Sequence, residues 1–281
     1  LGVIYHQKGE NDRAVDLIKK ALSIKPDYAK AHSNLGIVLH ELKRFLEAVA
    51  SYNQALSIKP NFAKACSNLG TALKELGRLG EAVICYRDAL NIEPKFAEVY
   101  NNLGNTLHAL GKLEEAVACY REALAVRPEF VEAGRNLLFV LLYFPGFSPG
   151  ELFNEHLRFS ENHTRGIVLP AEDLTNDPSP ERCLRVGYLS SDFRDHPVGH
   201  NILPLLTSHD RMKFEIYCYA DVMRPDGITE KFRSSADHWH TIVGKSDAEV
   251  AEMVRSDGID VLVCLAGRFD NNRPLVCPHR A

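Results

Sequence analysis

Four glycines, Gly2, Gly36, Gly70 and Gly104, stand 34 residues apart, and other residues keep the same period. Ala14, Ala48, Ala82 and Ala116 do so, as do Ala21, Ala55, Ala89 and Ala123, and Pro26, Pro60, Pro94 and Pro128. Tyr52, Tyr86 and Tyr120 are in step, and Leu35, Leu69 and Leu103 precede the glycines, with Leu137 extending that row. A fixed period constrains the fold more than composition does, because each unit must bury its apolar face on its neighbours. Small residues let two antiparallel helices approach closely, and proline ends the second helix of each pair. The aromatic then fills the space between pairs. A partial repeat opens the chain, and a further helix, 131–144, follows the last proline.

This pattern is the tetratricopeptide repeat, which builds a right-handed α-solenoid whose first helices line a concave face. Asn34, Asn68, Asn102 and Asn136 recur on those helices at the same spacing. An amide side chain donates and accepts hydrogen bonds at once. A ladder of them suits the extended backbone of an acceptor protein, held with little sequence preference. Local bonding, or bonding to water, accounts equally for an asparagine common at this repeat position. The repeats also offer a surface for self-association.

Beyond Phe144 the period disappears. Residues 145–182 carry five prolines (145, 149, 170, 178 and 180) and one helical stretch, 151–163, and read as a connector whose helix caps the solenoid. From Leu184, short apolar strands at 184–191, 213–220, 239–243 and 259–266 alternate with helices at 200–208, 228–236 and 246–256. Such alternation implies a parallel sheet buried on both faces, an α/β Rossmann-like lobe. Ser246 and Glu249 form the pattern of a capping box before the last helix. The expected organisation is therefore repeats over 1–144, connector over 145–182 and lobe over 183–281.

Composition narrows the function. The net charge is −4, divided as +2 over residues 1–144 and −6 over 145–281, which argues against a nucleic-acid binder. The longest apolar run, Leu137 to Phe144, falls far short of the ~20 residues that cross a bilayer, so no membrane partner is expected. The seven cysteines form no C-x-x-C pair. Cys85, Cys119, Cys218 and Cys264 lie in apolar segments and read as reduced core residues of a cytoplasmic protein. No Asp-x-Asp pair and no G-x-G-x-x-G loop occurs, and His238-x-His240 reads as a surface strand, so no metal is expected.

Ligands of open α/β sheets bind beyond the carboxyl ends of the strands. That rule singles out Ser190 to His200 and Gly267 to Arg273. The run Leu184-Arg-Val-Gly-Tyr-Leu-Ser-Ser-Asp-Phe193, followed by His196-Pro197 and His200, closely resembles the start of the catalytic region in the O-linked N-acetylglucosamine transferase family. That family includes a SPINDLY-like branch whose members transfer fucose. Asp257-Gly-Ile-Asp-Val-Leu-Val263, Gly267, Asn272-Arg273 and His279-Arg280-Ala281 match it further along, and the order of repeats, connector and lobe matches as well.

The resemblance implies a two-lobed, inverting, metal-independent protein O-glycosyltransferase that uses no cofactor. Its co-substrate would be a nucleotide sugar, UDP-N-acetylglucosamine foremost, and its acceptors Ser or Thr of intracellular proteins bound in the repeat groove. It also places His196 at the catalytic cleft, where an imidazole acts as acid or base or orients sugar or acceptor. On the residues alone, His196 reads as a loop residue that caps the next helix. Asp192 either orients a histidine or caps the turn. His200 matches a second motif histidine of some members, or simply opens the helix.

Gly267-Arg268 departs from the Gly-His of many relatives, and a guanidinium cannot be a base. The family's second lobe, which holds most nucleotide contacts, has no counterpart in these residues. Both ends therefore read as cut, no nucleotide-binding residue is assigned, and the 281 residues alone are expected to show no transfer. The competing reading is a non-enzymatic tetratricopeptide scaffold that docks partner proteins.

Overall fold

The residue before a proline is pushed out of the α region, and this is how each repeat stops its second helix. In the computed structural model, Lys25, Lys59, Glu93 and Arg127 all precede a repeat proline. Their φ values lie between −131° and −140°. Each also donates its N–H to the carbonyl of a periodic alanine, Ala21, Ala55, Ala89 or Ala123. The structure describes residues 2–144, 146–164, 177, 179, 181–265 and 276. They fall into two compact units, Leu1–Phe159 and Ser160–Ala281.

The first unit is a stack of helix pairs: α1 (Gly2–Gln7) with α2 (Asn11–Ile24), α3 (Ala29–Glu41) with α4 (Phe45–Ile58), α5 (Ala63–Glu75) with α6 (Leu79–Ile92), and α7 (Ala97–Ala109) with α8 (Leu113–Val126). A lone first helix, α9 (Val131–Leu141), follows, and α10 (Pro149–Thr164) begins in the first unit and ends in the second. First helices of successive pairs touch one another, α3 to α5 to α7 to α9, so they form the inner row of the stack. The turn between the helices of a pair needs a left-handed residue. Gly9, Gly77 and Gly111 supply it, and Lys43 takes the same conformation at φ 59°.

The periodic glycines have a steric purpose. A Cβ on Gly36, Gly70 or Gly104 would lie 2.5, 2.8 or 2.6 Å from the ring of Tyr52, Tyr86 or Tyr120. Each ring belongs to the second helix of the same pair and is fully buried. The aromatic expected between pairs thus packs first within its own, and Tyr86 also bears on Thr106 of the next pair. At the far end of the stack, Phe147 and Leu152 pack on the common core, and Arg121 meets Glu155 at 3.0 Å.

Among the described residues, the second unit carries a four-stranded parallel sheet. Its elements are β1 (Leu184–Ser190), α11 (Pro197–Ser208), β2 (Phe214–Ala220), α12 (Gly227–Ser235), β3 (His238–Thr241), α13 (Asp247–Ser256) and β4 (Val261–Cys264). The strand order is β3-β2-β1-β4. Val186, Tyr188, Ile216 and Cys218 pack with Leu206 of α11 and Phe232 of α12 on one face; Tyr217 and Tyr219 pack with Val250 and Val254 of α13 on the other. Ser246 and Glu249 form the expected capping box on α13.

Two expectations change. Among the described residues β4 stands at the edge of the sheet rather than buried on both faces, and Val261 and Cys264 are exposed. Cys264 is therefore not a core thiol. Cys218 is, and burial pushes its thiol up to about 12; Cys85 and Cys119 are half-buried and raised to about 11. No described helix is long and apolar enough to cross a membrane.

Candidate functional site

The order β3-β2-β1-β4 reverses direction between β1 and β4, and open α/β sheets bind ligands beyond the carboxyl ends of their strands at such a point. The turn leaving β1 reaches this place. It is polar yet closed in: Ser190, Ser191, Asp192 and, beyond β2, Asp221 are all buried. Ser190 Oγ accepts the Asp192 N–H at 2.9 Å, and the Ser190 carbonyl accepts the Asp221 N–H at 3.0 Å. Phe193 turns inward against Phe232 and Trp239 and anchors the turn from below.

His196 is the N-cap of α11, and Pro197, at the first helical position, is preset for a helix. The helix therefore begins before the expected His200. Nδ1 of His196 accepts the Val198 N–H at 3.3 Å. With Nδ1 acting as acceptor, the neutral ring carries its proton on Nε2. Asp192 Oδ2 stands 3.6 Å from the same Nδ1, and Asp192 Oδ1 stands 3.6 Å from Arg194 Nη2. The Asp192 carboxylate thus faces a histidine and an arginine, and among the described residues no backbone N–H of the turn donates to it. His200, one turn into α11, bonds Asp195 Oδ1 through Nε2 at 2.8 Å on the surface.

Two residues that sequence reasoning passed over hold this turn. Gly199 lets α11 sit directly on it: an added Cβ would be 2.4 Å from the Arg194 carbonyl oxygen and 2.7 Å from that of Asp192. Asp226 caps α12 and also accepts the Asp195 N–H at 2.7 Å. Gly267, Arg268, Asn272, Arg273, His279, Arg280 and Ala281 lie outside the described residues. Among the described residues, no group of three or more His, Cys, Asp or Glu is arranged to hold a metal ion.

In the repeats, the four ladder asparagines are all half-buried on first helices, as their spacing requires. They are not equivalent. Asn136 donates from Nδ2 to Asn101 Oδ1 at 2.9 Å and to Asn105 Oδ1 at 3.0 Å, and Asn105 also accepts from the Tyr120 hydroxyl at 2.7 Å. Both donors of Asn136 are thereby engaged, whereas the amides of Asn34, Asn68 and Asn102 have no side-chain bond among the described residues. Replacing the open three by alanine should weaken binding of an extended acceptor polypeptide about tenfold or more, with helicity kept. Asn136→Ala should instead lower the unfolding midpoint, because it leaves buried Asn101 unpaired. Titration of a labelled peptide beside circular dichroism separates the two, and unchanged peptide affinity in the triple variant would reject the open rungs as contacts.

Comparison with known proteins follows the same division. The glycosyl transferase family 41 pattern matches residues 169–276, and tetratricopeptide repeat patterns match 29–62 and 97–130, and 2–43 and 70–111. A relative from Arabidopsis thaliana, the probable UDP-N-acetylglucosamine–peptide N-acetylglucosaminyltransferase SPINDLY, is 34% identical over 144 residues, which are 50% of this chain and 16% of that protein. The Arabidopsis protein of the same description called SEC is 33% identical over 87 residues, 30% of this chain and 9% of its own length.

Among solved structures, an O-GlcNAc transferase mutant from Thermobaculum terrenum aligns with a TM-score of 0.71 and 31% identity over 90% of this chain. The chain spans 48% of that transferase. MamA, at 20% identity and a TM-score of 0.55 over 59% of the chain, shares the helical fold alone. Tetratricopeptide repeats joined to a glycosyl transferase family 41 segment make the chain similar, in both parts, to O-GlcNAc transferase and SPINDLY-like proteins.

Proposed function

We propose that this chain supplies the acceptor-binding array and the first catalytic lobe of an inverting, metal-independent protein O-glycosyltransferase. The enzyme moves N-acetylglucosamine from UDP-N-acetylglucosamine to Ser or Thr of cytoplasmic proteins that lie in the repeat groove. The likeness to a solved O-GlcNAc transferase across 90% of the chain, repeats and lobe together, carries this reading.

The geometry of His196 supports an orienting role. Its Nδ1 is taken up by the Val198 N–H, so Nε2 of the neutral ring is a donor and not a base. A donor at the carboxyl edge of the sheet holds an oxygen of the sugar or of the acceptor in place. Asp192 Oδ2 lies 3.6 Å from Nδ1 and flanks the ring on that side.

The test uses the full product of the gene carrying this chain, assayed with radiolabelled UDP-N-acetylglucosamine and with GDP-fucose. His196→Ala should lower kcat about 100-fold with folding intact, and His196→Gln, which keeps a donor, should restore part of the loss. Full transfer by the alanine variant rejects His196 as a site residue. Transfer from GDP-fucose alone assigns the protein to the SPINDLY-like branch. Transfer from neither donor, with acceptor binding retained, leaves the scaffold reading.

A further inference from the structure

Asp226 is bonded to two loops at once, and it divides its carboxylate between them. Oδ1 accepts from the backbone N–H groups of Ile228 and Thr229, each at 2.9 Å, and from the Thr229 hydroxyl at 3.1 Å. The Asp226 N–H donates in return to Thr229 Oγ1 at 3.0 Å, which closes the capping box of α12. One oxygen is enough for a helix cap. The other, Oδ2, accepts the N–H of Asp195 at 2.7 Å, from the turn that leaves β1. Asp195 immediately precedes His196, and its own side chain holds His200. These bonds, that from the Asp195 N–H foremost, keep the Asp226 carboxyl below its usual range.

On the reading that His196 stands at the reacting centre, we infer that Asp226 is a positioning residue for it. Its second carboxylate oxygen fixes the Arg194–Asp195 peptide and, one residue on, the direction in which the imidazole Nε2 points. The anchor from below is Phe193, and the close approach of Gly199 sets the height of α11. Neither restrains the peptide at Asp195 itself, and Asp226 does.

The division of labour between the two oxygens supplies the test. Asparagine caps a helix as well as aspartate does. Asp226→Asn therefore keeps an oxygen for α12, where three donors converge on it, and turns an NH2 group toward the Asp195 N–H, donor against donor. Asp226→Ala removes both functions. In the 281-residue chain, Asp226→Asn should keep the unfolding midpoint close to that of the parent. Hydrogen exchange at the Asp195 amide should rise about tenfold, and the His196 ring resonances should shift. Asp226→Ala should lower the midpoint as well.

In the full-length enzyme, Asp226→Asn should reduce kcat about tenfold with the KM for UDP-N-acetylglucosamine unchanged. Parent-like Asp195 exchange and His196 resonances in Asp226→Asn would overturn the inference directly. A clear response of both signals, in a protein whose His196→Ala variant transfers sugar at the full rate, would overturn it by the other route: the contact stands and the reacting-centre assignment of His196 falls.

Discussion

Gly199→Ala is expected to destabilise the lobe by about 2 kcal/mol and to abolish the capped geometry of His196. The new methyl group would lie 2.4 Å from the carbonyl oxygen of Arg194 and 2.7 Å from that of Asp192. Both are backbone atoms, so no rotamer change relieves the overlap. Phe193, buried between Phe232 and Trp239, prevents the turn from retreating. Relief must come from α11, whose first turn depends on the His200 N–H reaching the His196 carbonyl at 3.0 Å. Alanine gains only about 0.5–1 kcal/mol over glycine in helix propensity, too little to compensate. Thermal unfolding of the lobe and the chemical shifts of the His196 ring measure the effect. An unchanged midpoint would show that the contact yields, and the packing argument would then be wrong.

Tyr86→Ala should cost about 3–5 kcal/mol, the range for removing a buried aromatic ring. The ring is fully buried over Gly70, its hydroxyl lies 3.1 Å from Thr71 Oγ1, and burial pushes the phenol up to about 12. Its repeat sits between two others. A stack stabilised by nearest neighbours should therefore lose cooperativity, and denaturant unfolding followed by circular dichroism should separate into two transitions. The partner substitution sharpens the test. Gly70→Ala places a methyl group 2.8 Å from the ring and should destabilise the parent, yet in the Tyr86→Ala background the same methyl group enters vacated space. Its effect should shrink or change sign. Strict additivity of the two substitutions would mean that glycine and ring are not a matched pair.

Much of the fold was legible because its signals are local or strictly periodic. The 34-residue repeat, the proline stops and the Ser246–Glu249 capping box need no knowledge of distant parts of the chain. The left-handed turn inside each pair is masked in the sequence, because Lys43 interrupts the series Gly9, Gly77 and Gly111. The start of α11 at Pro197 was written in the His196-Pro197 pair, where the apolar pattern pointed to His200 instead. Other features depend on tertiary order. Cys264 looks like a core residue until β4 is placed at the edge of the described sheet. The spacing that aligns four asparagines on one face does not show that Asn101 and Asn105 engage the last of them. The Asp226 cap is visible as Asp-x-x-Thr, but its bond to Asp195, 31 residues away, follows only from the packing of adjacent parallel strands.

The environment of the three repeat tyrosines carries a last consequence. Opposite the hydroxyl of Tyr86 stands Thr71, and opposite that of Tyr120 stands Asn105, which the following helix also grips through Asn136. The matching position beside Tyr52 is Ile37. Units that share one outline are therefore individually addressed, each keyed to its own place in the series. Shuffling or duplicating them would set an isoleucine where a hydroxyl or amide is required, so the array evolves by substitution within its units more readily than by copying them.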